Sequence, residues 1–169
     1  MTHKEAIDRM CGCLRQYGWR CFPEVQIGSY GDVIPDIIAI KRSYKKKSIA
    51  IFEIKVSRSD FKSEMRNRKY MKSLPFADKF YYACPDGLID VEDLPPQAGL
   101  YYISDTLIEI PYANETVRYY QCDCMRNALA SKVELNEDML WSIILSFETK
   151  YIKPNKEALC VKAVSEGKA

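Results

Sequence analysis

The chain has 169 residues, a formal net charge of +2, 47% hydrophobic and 28% charged residues, which is the composition of a folded chain with a sizeable core. No apolar run approaches the roughly 18 residues that a membrane-crossing helix needs, and the charged start Met1-Thr2-His3-Lys4-Glu5 lacks the apolar centre of a signal peptide. The expectation is one cytoplasmic domain over 1–169 with no membrane partner, its core at about 1–110 and a helical extension at about 120–152.

In chain order, Ile7, Met10, Cys11, Leu14 and Tyr17 recur with helical spacing and Gly18 supplies a stop, so a helix is predicted over 2–17. Thr2 and Glu5 have the spacing of a capping box, which gives Glu5 a structural role. Trp19 to Ile27 reads as a strand, closed by a turn at Gly28, Gly31 and Asp32. Val33 to Lys41 and Ser48 to Val56 then read as a hairpin at the centre of a sheet, joined by the basic turn Arg42 to Lys47.

Ser59 as N-cap predicts a helix to about Ser73, with Asp60 in its first turn where the helix dipole favours an acid, and Pro75 beyond its end. Its apolar anchors are few, chiefly Phe61, Met65 and Met71, so it is expected at the surface with one narrow stripe packed down. Lys79 to Cys84 is a further apolar strand, followed by the turn Pro85-Asp86-Gly87. Two short strands are predicted at Leu100 to Ile103 and Leu107 to Ile110, and another at Arg118 to Tyr120. Asp123 to Val133 and Asn136 to Tyr151 read as two helices whose apolar stripes would pack on the sheet or on a second copy, which makes a homodimer one expectation.

Charge is unevenly placed along this chain. Lys41 through Lys72 carries a net +9 and the remainder −7, an asymmetry suited to a polyanionic partner. The alternative is a solvated hairpin tip and helix face. Seven cysteines, an odd number, read as reduced thiols and not as a disulfide framework. Cys11-Gly12-Cys13 and Cys122-Asp123-Cys124 look like ligand pairs, yet Cys11 and Cys13 fall inside a helical pattern, where residues i and i+2 diverge by about 200° and do not easily grip one metal. The single histidine, His3, adds nothing to a zinc site.

The pattern Pro35-Asp36 and Glu53-Ile54-Lys55 begins just before the basic block and ends within it. Glu53 and Lys55 share one face of a strand, while Phe52, Ile54 and Val56 point the other way into a core. If the hairpin is symmetric about Tyr44 and Lys45, Lys41 pairs with Ser48 and Asp36 falls opposite Glu53. Opposed carboxylates repel, and a divalent cation between them would remove the repulsion. This suggests a metal-dependent phosphodiesterase site, against the alternative of an ordinary surface ion cluster.

The order helix, strand, Asp-bearing strand, Glu-x-Lys strand, helix, strand resembles the PD-(D/E)XK nuclease superfamily. Phe52-Glu53-Ile54-Lys55, Ser57-Arg58-Ser59-Asp60-Phe61, Phe80-Tyr81-Tyr82-Ala83, Pro85 to Ile89 and Leu94 to Leu100 resemble its MmcB-like branch of DNA repair proteins, over roughly residues 20 to 105. The resemblance implies an α/β, restriction-endonuclease-like αβββαβ core with a central mixed sheet flanked by helices, plus C-terminal helices. It implies that Asp36 and Glu53 hold Mg²⁺, with Mn²⁺ able to substitute, that the Ile54 carbonyl completes the set, and that Lys55 orients or activates water. Glu24 is the candidate for an additional acidic residue, a solvated strand residue being the alternative. Ser57, Ser59 and the helix amides that follow would receive a phosphate, and Arg58, Lys62, Arg66 and Lys69 would track a nucleic-acid backbone. Tyr70 is read as a packing residue. The implied activity is metal-dependent hydrolysis of DNA; the competing reading is a non-catalytic nucleic-acid-binding module on the same fold.

Overall fold

The computed structural model describes residues 1–28, 33–41, 48–112, 115–131, 133 and 136–151. Helix α1 spans His3–Gln16, followed by strands β1 (Trp19–Pro23), β2 (Ile37–Lys41) and β3 (Ser48–Ile54). Helix α2 (Arg58–Asn67) and two short 3₁₀ turns lead to β4 (Lys79–Pro85), the long strands β5 (Ala98–Tyr112) and β6 (Glu115–Arg126), and helix α3 (Glu137–Tyr151). The six strands form one mixed sheet in sequence order, antiparallel except for the parallel pairs β3–β4 and β4–β5. This is an α/β architecture with the helix and strand order of a restriction-endonuclease-like core.

Strand alternation decides what covers each face. On one side Ile37, Ala39, Ala50, Phe52, Ile54 and Tyr81 pack under the apolar face of α1, and Phe52 stacks on Tyr81 at 5.0 Å between centroids. On the other, Ile51, Phe80, Tyr82 and Leu100 pack under α2 through Phe61, while Ile38 and Ile49 pack under α3 through Met139 and Ile143. Large apolar side chains buried this completely contribute about 1.5–3 kcal/mol each, so β3, covered on both faces, is a rigid base for what lies at its end. Gly99 lets the layers close: a Cβ there would fall 2.3 Å from the Tyr81 ring and 2.6 Å from the Ala128 nitrogen.

Several predicted boundaries move. The first strand stops at Pro23, because Glu24 takes a left-handed φ of 48° and turns the chain out of the ladder; Ile27 rejoins only through a single bridge to Val33. The second strand starts at Ile37 instead of Val33, since Pro35 has no N–H to give a ladder. The third ends at Ile54, two residues short of Val56. The N-cap of α2 is Ser57, whose Oγ accepts the Asp60 N–H at 3.2 Å, and not Ser59; the helix ends at Asn67, where Arg68 goes left-handed, instead of Ser73.

The two short strands after Leu100 are one strand with a register shift between Ile103 and Leu107. The helix predicted over Asp123 to Val133 does not form. Residues 123–126 finish β6, where the ladder to Leu100, Tyr101 and Tyr102 and the Arg126 bonds to the Val91, Pro95 and Ala98 carbonyls outweigh local helical preference. The C-terminal extension thus holds one described helix, α3. Its first turn is capped by Asn136, whose Oδ1 accepts the Met139 N–H at 2.9 Å. Asp32, Gly31, the turn Arg42 to Lys47 and the tail after Pro154 lie outside the described residues.

Candidate active site

The hairpin register has Lys41 opposite Ser48 and Ile37 opposite Phe52, so its continuation sets Asp36 against Glu53 at the sheet's end. Asp36 follows Pro35 just before β2, and its Oδ2 accepts the Ile54 N–H at 2.6 Å, which ties it to the Glu53 strand. Glu53 is largely buried. Burial, and after it the charges of Asp36 and Glu64, push its carboxyl up to about 8. Two carboxylates facing one another in a low-dielectric setting have this effect, since each ionised group disfavours the other.

Lys55 follows β3, its N–H bonded to the Ala83 carbonyl at 2.9 Å, and its side chain is only 8% exposed. Its ammonium lies 4.0 Å from Glu53 Oε2, 3.5 Å from Asp60 Oδ2 and in direct contact with Glu64 Oε2. Burial works against that charge, but the hydrogen bond and charge of Glu64, with Glu53 and Asp60, outweigh it and hold the lysine above its ordinary range. Tyr82, opposite Glu53 in the parallel β3–β4 ladder, donates from its hydroxyl to Glu64 Oε1 at 2.7 Å. Burial, then Glu64, drives the Tyr82 hydroxyl well above its usual pKa, so it stays a donor.

Glu64 and Tyr82 are the residues that sequence reasoning missed. The signal for Glu64 was present: it lies three residues after Phe61, on the stripe of α2 that packs down, and a buried acid there requires a partner. His3, read only as adding nothing to a zinc site, has its Nε2 3.3 Å from Asp36 Oδ2. Glu5 keeps its capping role, with its N–H and carboxylate both bonded to Thr2.

A cavity of about 270 Å³ opens over this cluster, with Glu53, Lys55, Glu64, Lys69, Tyr70 and Lys72 in its wall. Tyr70, read as a packing residue, packs on Phe80 and also lines this cavity. Lys62, Arg66 and Ser59 line a separate groove of about 580 Å³ along α2. Arg58 is paired with Asp90 and with Asp93, which lines that groove, at 3.2 and 2.7 Å. The Glu24 N–H donates to the Asp36 carbonyl at 2.9 Å, while its exposed carboxylate takes the Lys150 ammonium at 2.8 Å, and that bond lowers its pKa. The structure therefore brings Asp36, Glu53 and Lys55 together, keeps the Glu24 backbone beside Asp36 with its carboxylate on Lys150, and pairs Arg58 with Asp90 and Asp93. Ser57 is occupied as the N-cap and shares a 3.2 Å contact with Ser59.

Among the described residues no group of three or more His, Cys, Asp or Glu side chains is placed to hold a metal ion. The donors on hand are hard oxygens, from Asp36, Glu53 and the Ile54 carbonyl. That set suits Mg²⁺, which keeps several waters and takes few protein ligands. The opposed carboxylates also leave negative charge that a cation would offset, so the residues fit the ion the resemblance implies. The cysteines lie elsewhere: Cys21 meets Cys11, and Cys13 meets Cys122, between α1 and the two edge strands. The described ones are free thiols.

The fold and the cluster define an α/β protein with a restriction-endonuclease-like core that carries two carboxylates and a buried lysine at the end of its central strand. A family model described as MmcB-like DNA repair protein matches residues 3–133, and the chain belongs to that family. A solved structure described as SPO1766 protein of unknown function from Silicibacter pomeroyi is similar in fold, with a TM-score of 0.60 at 19% identity, covering 100% of this chain and 97% of that one. No curated protein matches the chain. No described helix is long and apolar enough to cross a membrane.

Proposed function

We propose that the protein is a divalent-metal-dependent nuclease that hydrolyses phosphodiester bonds of DNA. The observation that carries this reading is the juxtaposition of Asp36, Glu53 and Lys55 at the end of β3, with Lys69 and Lys72 lining a cavity alongside Glu53 and Lys55. Membership of a DNA repair family supports DNA as the polyanion.

Asp36, Glu53 and the Ile54 carbonyl would hold the cation, which when bound polarises phosphate oxygen and favours ionisation of water. Lys55 supplies a fixed positive charge in a site largely closed to solvent, where it can steady charge growing on a phosphate oxygen at far less reorganisation cost than in water. Glu64 and Tyr82 hold that lysine in place. Lys69 and Lys72, in the cavity wall, would receive flanking phosphates, and Lys62 and Arg66 would extend the track along α2 without reading sequence. Arg58, bound to Asp90 and Asp93, serves the loop after β4 in preference to the nucleic acid.

One observation favours a second reading, a non-catalytic DNA-binding module. The Lys55 ammonium is already shared among three carboxylates, as a purely structural lysine would be. A panel of labelled single-stranded, duplex and branched DNA incubated with Mg²⁺ or Mn²⁺ separates the two. The nuclease reading expects products from the native protein and none from Lys55→Ala; an inert native protein that still binds DNA supports the module.

A further inference from the structure

We propose that the cavity over Glu53 and Lys55 holds a slot for one unpaired base, lined by Ile34 and Tyr70, so that the DNA it takes is a single strand or the unpaired arm of a flap in preference to continuous duplex. The inference rests on the nuclease reading for the place of the scissile phosphate and adds the substrate class.

The chain holds Ile34 outward on an anchored segment. Val33 before it is buried and bridged to Ile27, and Pro35 after it is buried and confines its neighbour to extended backbone, yet Ile34 itself is 63% exposed. Its side chain lines the same cavity as Glu53 and Lys55. Apolar area left in water beside charged groups is area that an apolar ligand group would cover.

Tyr70 arrives from the far end of α2. Arg68 takes a left-handed φ of 49° that ends the helix, and the chain continues as the 3₁₀ turn Lys69–Lys72. At three residues per turn, Lys69 and Lys72 share one face and Tyr70 stands about 120° from it. All three line the cavity. Tyr70 is partly buried against Phe80, at 6.2 Å between ring centroids, and so offers a held aromatic surface. The lining is therefore charged at Glu53 and Lys55 and apolar at Ile34 and Tyr70, as a nucleotide is charged at its phosphate and apolar on the faces of its base.

The volume of about 270 Å³ is of small-molecule size, room for one nucleotide unit and not for stacked pairs. The Lys55 side chain is only 8% exposed, whereas Ile34, Lys69 and Lys72 are exposed. A base enters such a recess only once it is free of its partner and its stack, which a single strand offers and a duplex must be opened to give. Charge alone favours the duplex, whose phosphates are denser, so a preference for single strands has to come from the base. Base–aromatic contact accepts every base, and the slot thus reads strandedness without reading sequence.

The test uses the full chain at one fixed salt concentration, in a chelator and again with Ca²⁺. Fluorescence anisotropy gives the affinity of native protein, Ile34→Ser and Tyr70→Leu for a labelled single strand, for its duplex and for a strand of equal length built of abasic units; 2-aminopurine in the single strand reports stacking by its quenching. The native protein is expected to bind the single strand about tenfold or more tighter than the duplex or the abasic strand. Each variant should lose about fivefold or more on the single strand and less than about twofold on the other two, with quenching reduced in Tyr70→Leu. Duplex bound as tightly as single strand by the native protein, or single-strand affinity unchanged in both variants, overturns the slot. Incubation of the same strands with Mn²⁺ separates this from the nuclease reading: cleavage without strand preference overturns the slot alone, and selective binding without cleavage supports the slot and overturns the nuclease. Native protein that binds no DNA in either condition overturns both. Ile34→Ser alters an exposed side chain and Tyr70→Leu keeps apolar contact with Phe80, so unchanged melting is expected and ties lost affinity to the slot.

Discussion

Lys55 and Glu64 form a buried ion pair that links the end of β3 to the middle of α2, and the Tyr82 hydroxyl closes it by bonding the second Glu64 oxygen at 2.7 Å. The pair has two consequences. It sets the position of the ammonium in the cavity, and it makes the folded state depend on both partners, because either alone would be a desolvated charge.

Glu64→Ala is expected to destabilise the protein by about 3 kcal/mol, the usual cost of removing one member of a buried pair, and Glu64→Gln by less, since the amide oxygen can still accept from Tyr82 or Lys55. Urea unfolding of both variants checks this. A double-mutant cycle with Lys55→Met should show strong coupling; additive losses would mean that the two side chains do not act on one another.

The raised Glu53 carboxyl predicts a pH dependence of the metal-free protein. In the unfolded chain this group ionises near the ordinary glutamate value, while in the folded protein it keeps its proton up to about 8. The unfolded state therefore sheds the proton first, and the stabilisation present at acid pH is lost as the pH rises through the window between those two values. Melting temperatures in a chelator should fall across that window for the native protein. Glu53→Gln, which cannot ionise, should remove that component of the decline; equal slopes for the two proteins would contradict the assignment.

DNA binding should be salt-dependent, and the cations should differ in what they contribute. Lys62→Ala and Arg66→Ala are each expected to weaken binding to all sequences alike and to reduce the slope of log affinity against log salt by about 1. Arg58→Ala should change that slope little, because Arg58 is engaged with Asp90 and Asp93, and should instead lower stability modestly. Fluorescence anisotropy with labelled DNA at several salt concentrations measures the slopes.

The hairpin register was legible in the sequence because it follows from counting. With Lys41 opposite Ser48, strand alternation alone carries Asp36 to Glu53 and sends Phe52 and Ile54 to the α1 side. Glu64 was less visible: its spacing from Phe61 sets it on the packed stripe, but local composition marks α2 as a cationic surface helix and the contact with Lys55 is made only in the fold. Ser57 was legible in principle, for Ser57 and Asp60 have the spacing of a capped helix start. The end of β6 was not legible. Residues 123–126 are held as strand by neighbours 20 or more positions away, which no local periodicity reveals. His3 was hidden for the same reason, its partner Asp36 being distant in sequence and adjacent only in the fold.

The central claim is that the paired carboxylates at the end of β3 support DNA hydrolysis, and cleavage by the native protein beside Asp36→Asn and Glu53→Gln tests it most directly. Labelled DNA is incubated with Mg²⁺ or Mn²⁺, with folding verified by melting and DNA binding measured on the same samples. The account predicts metal-dependent cleavage by the native protein, none by either variant, and DNA binding retained by both. Cleavage that persists in both purified variants, or a native protein that binds DNA and never cuts it with either ion, would contradict it.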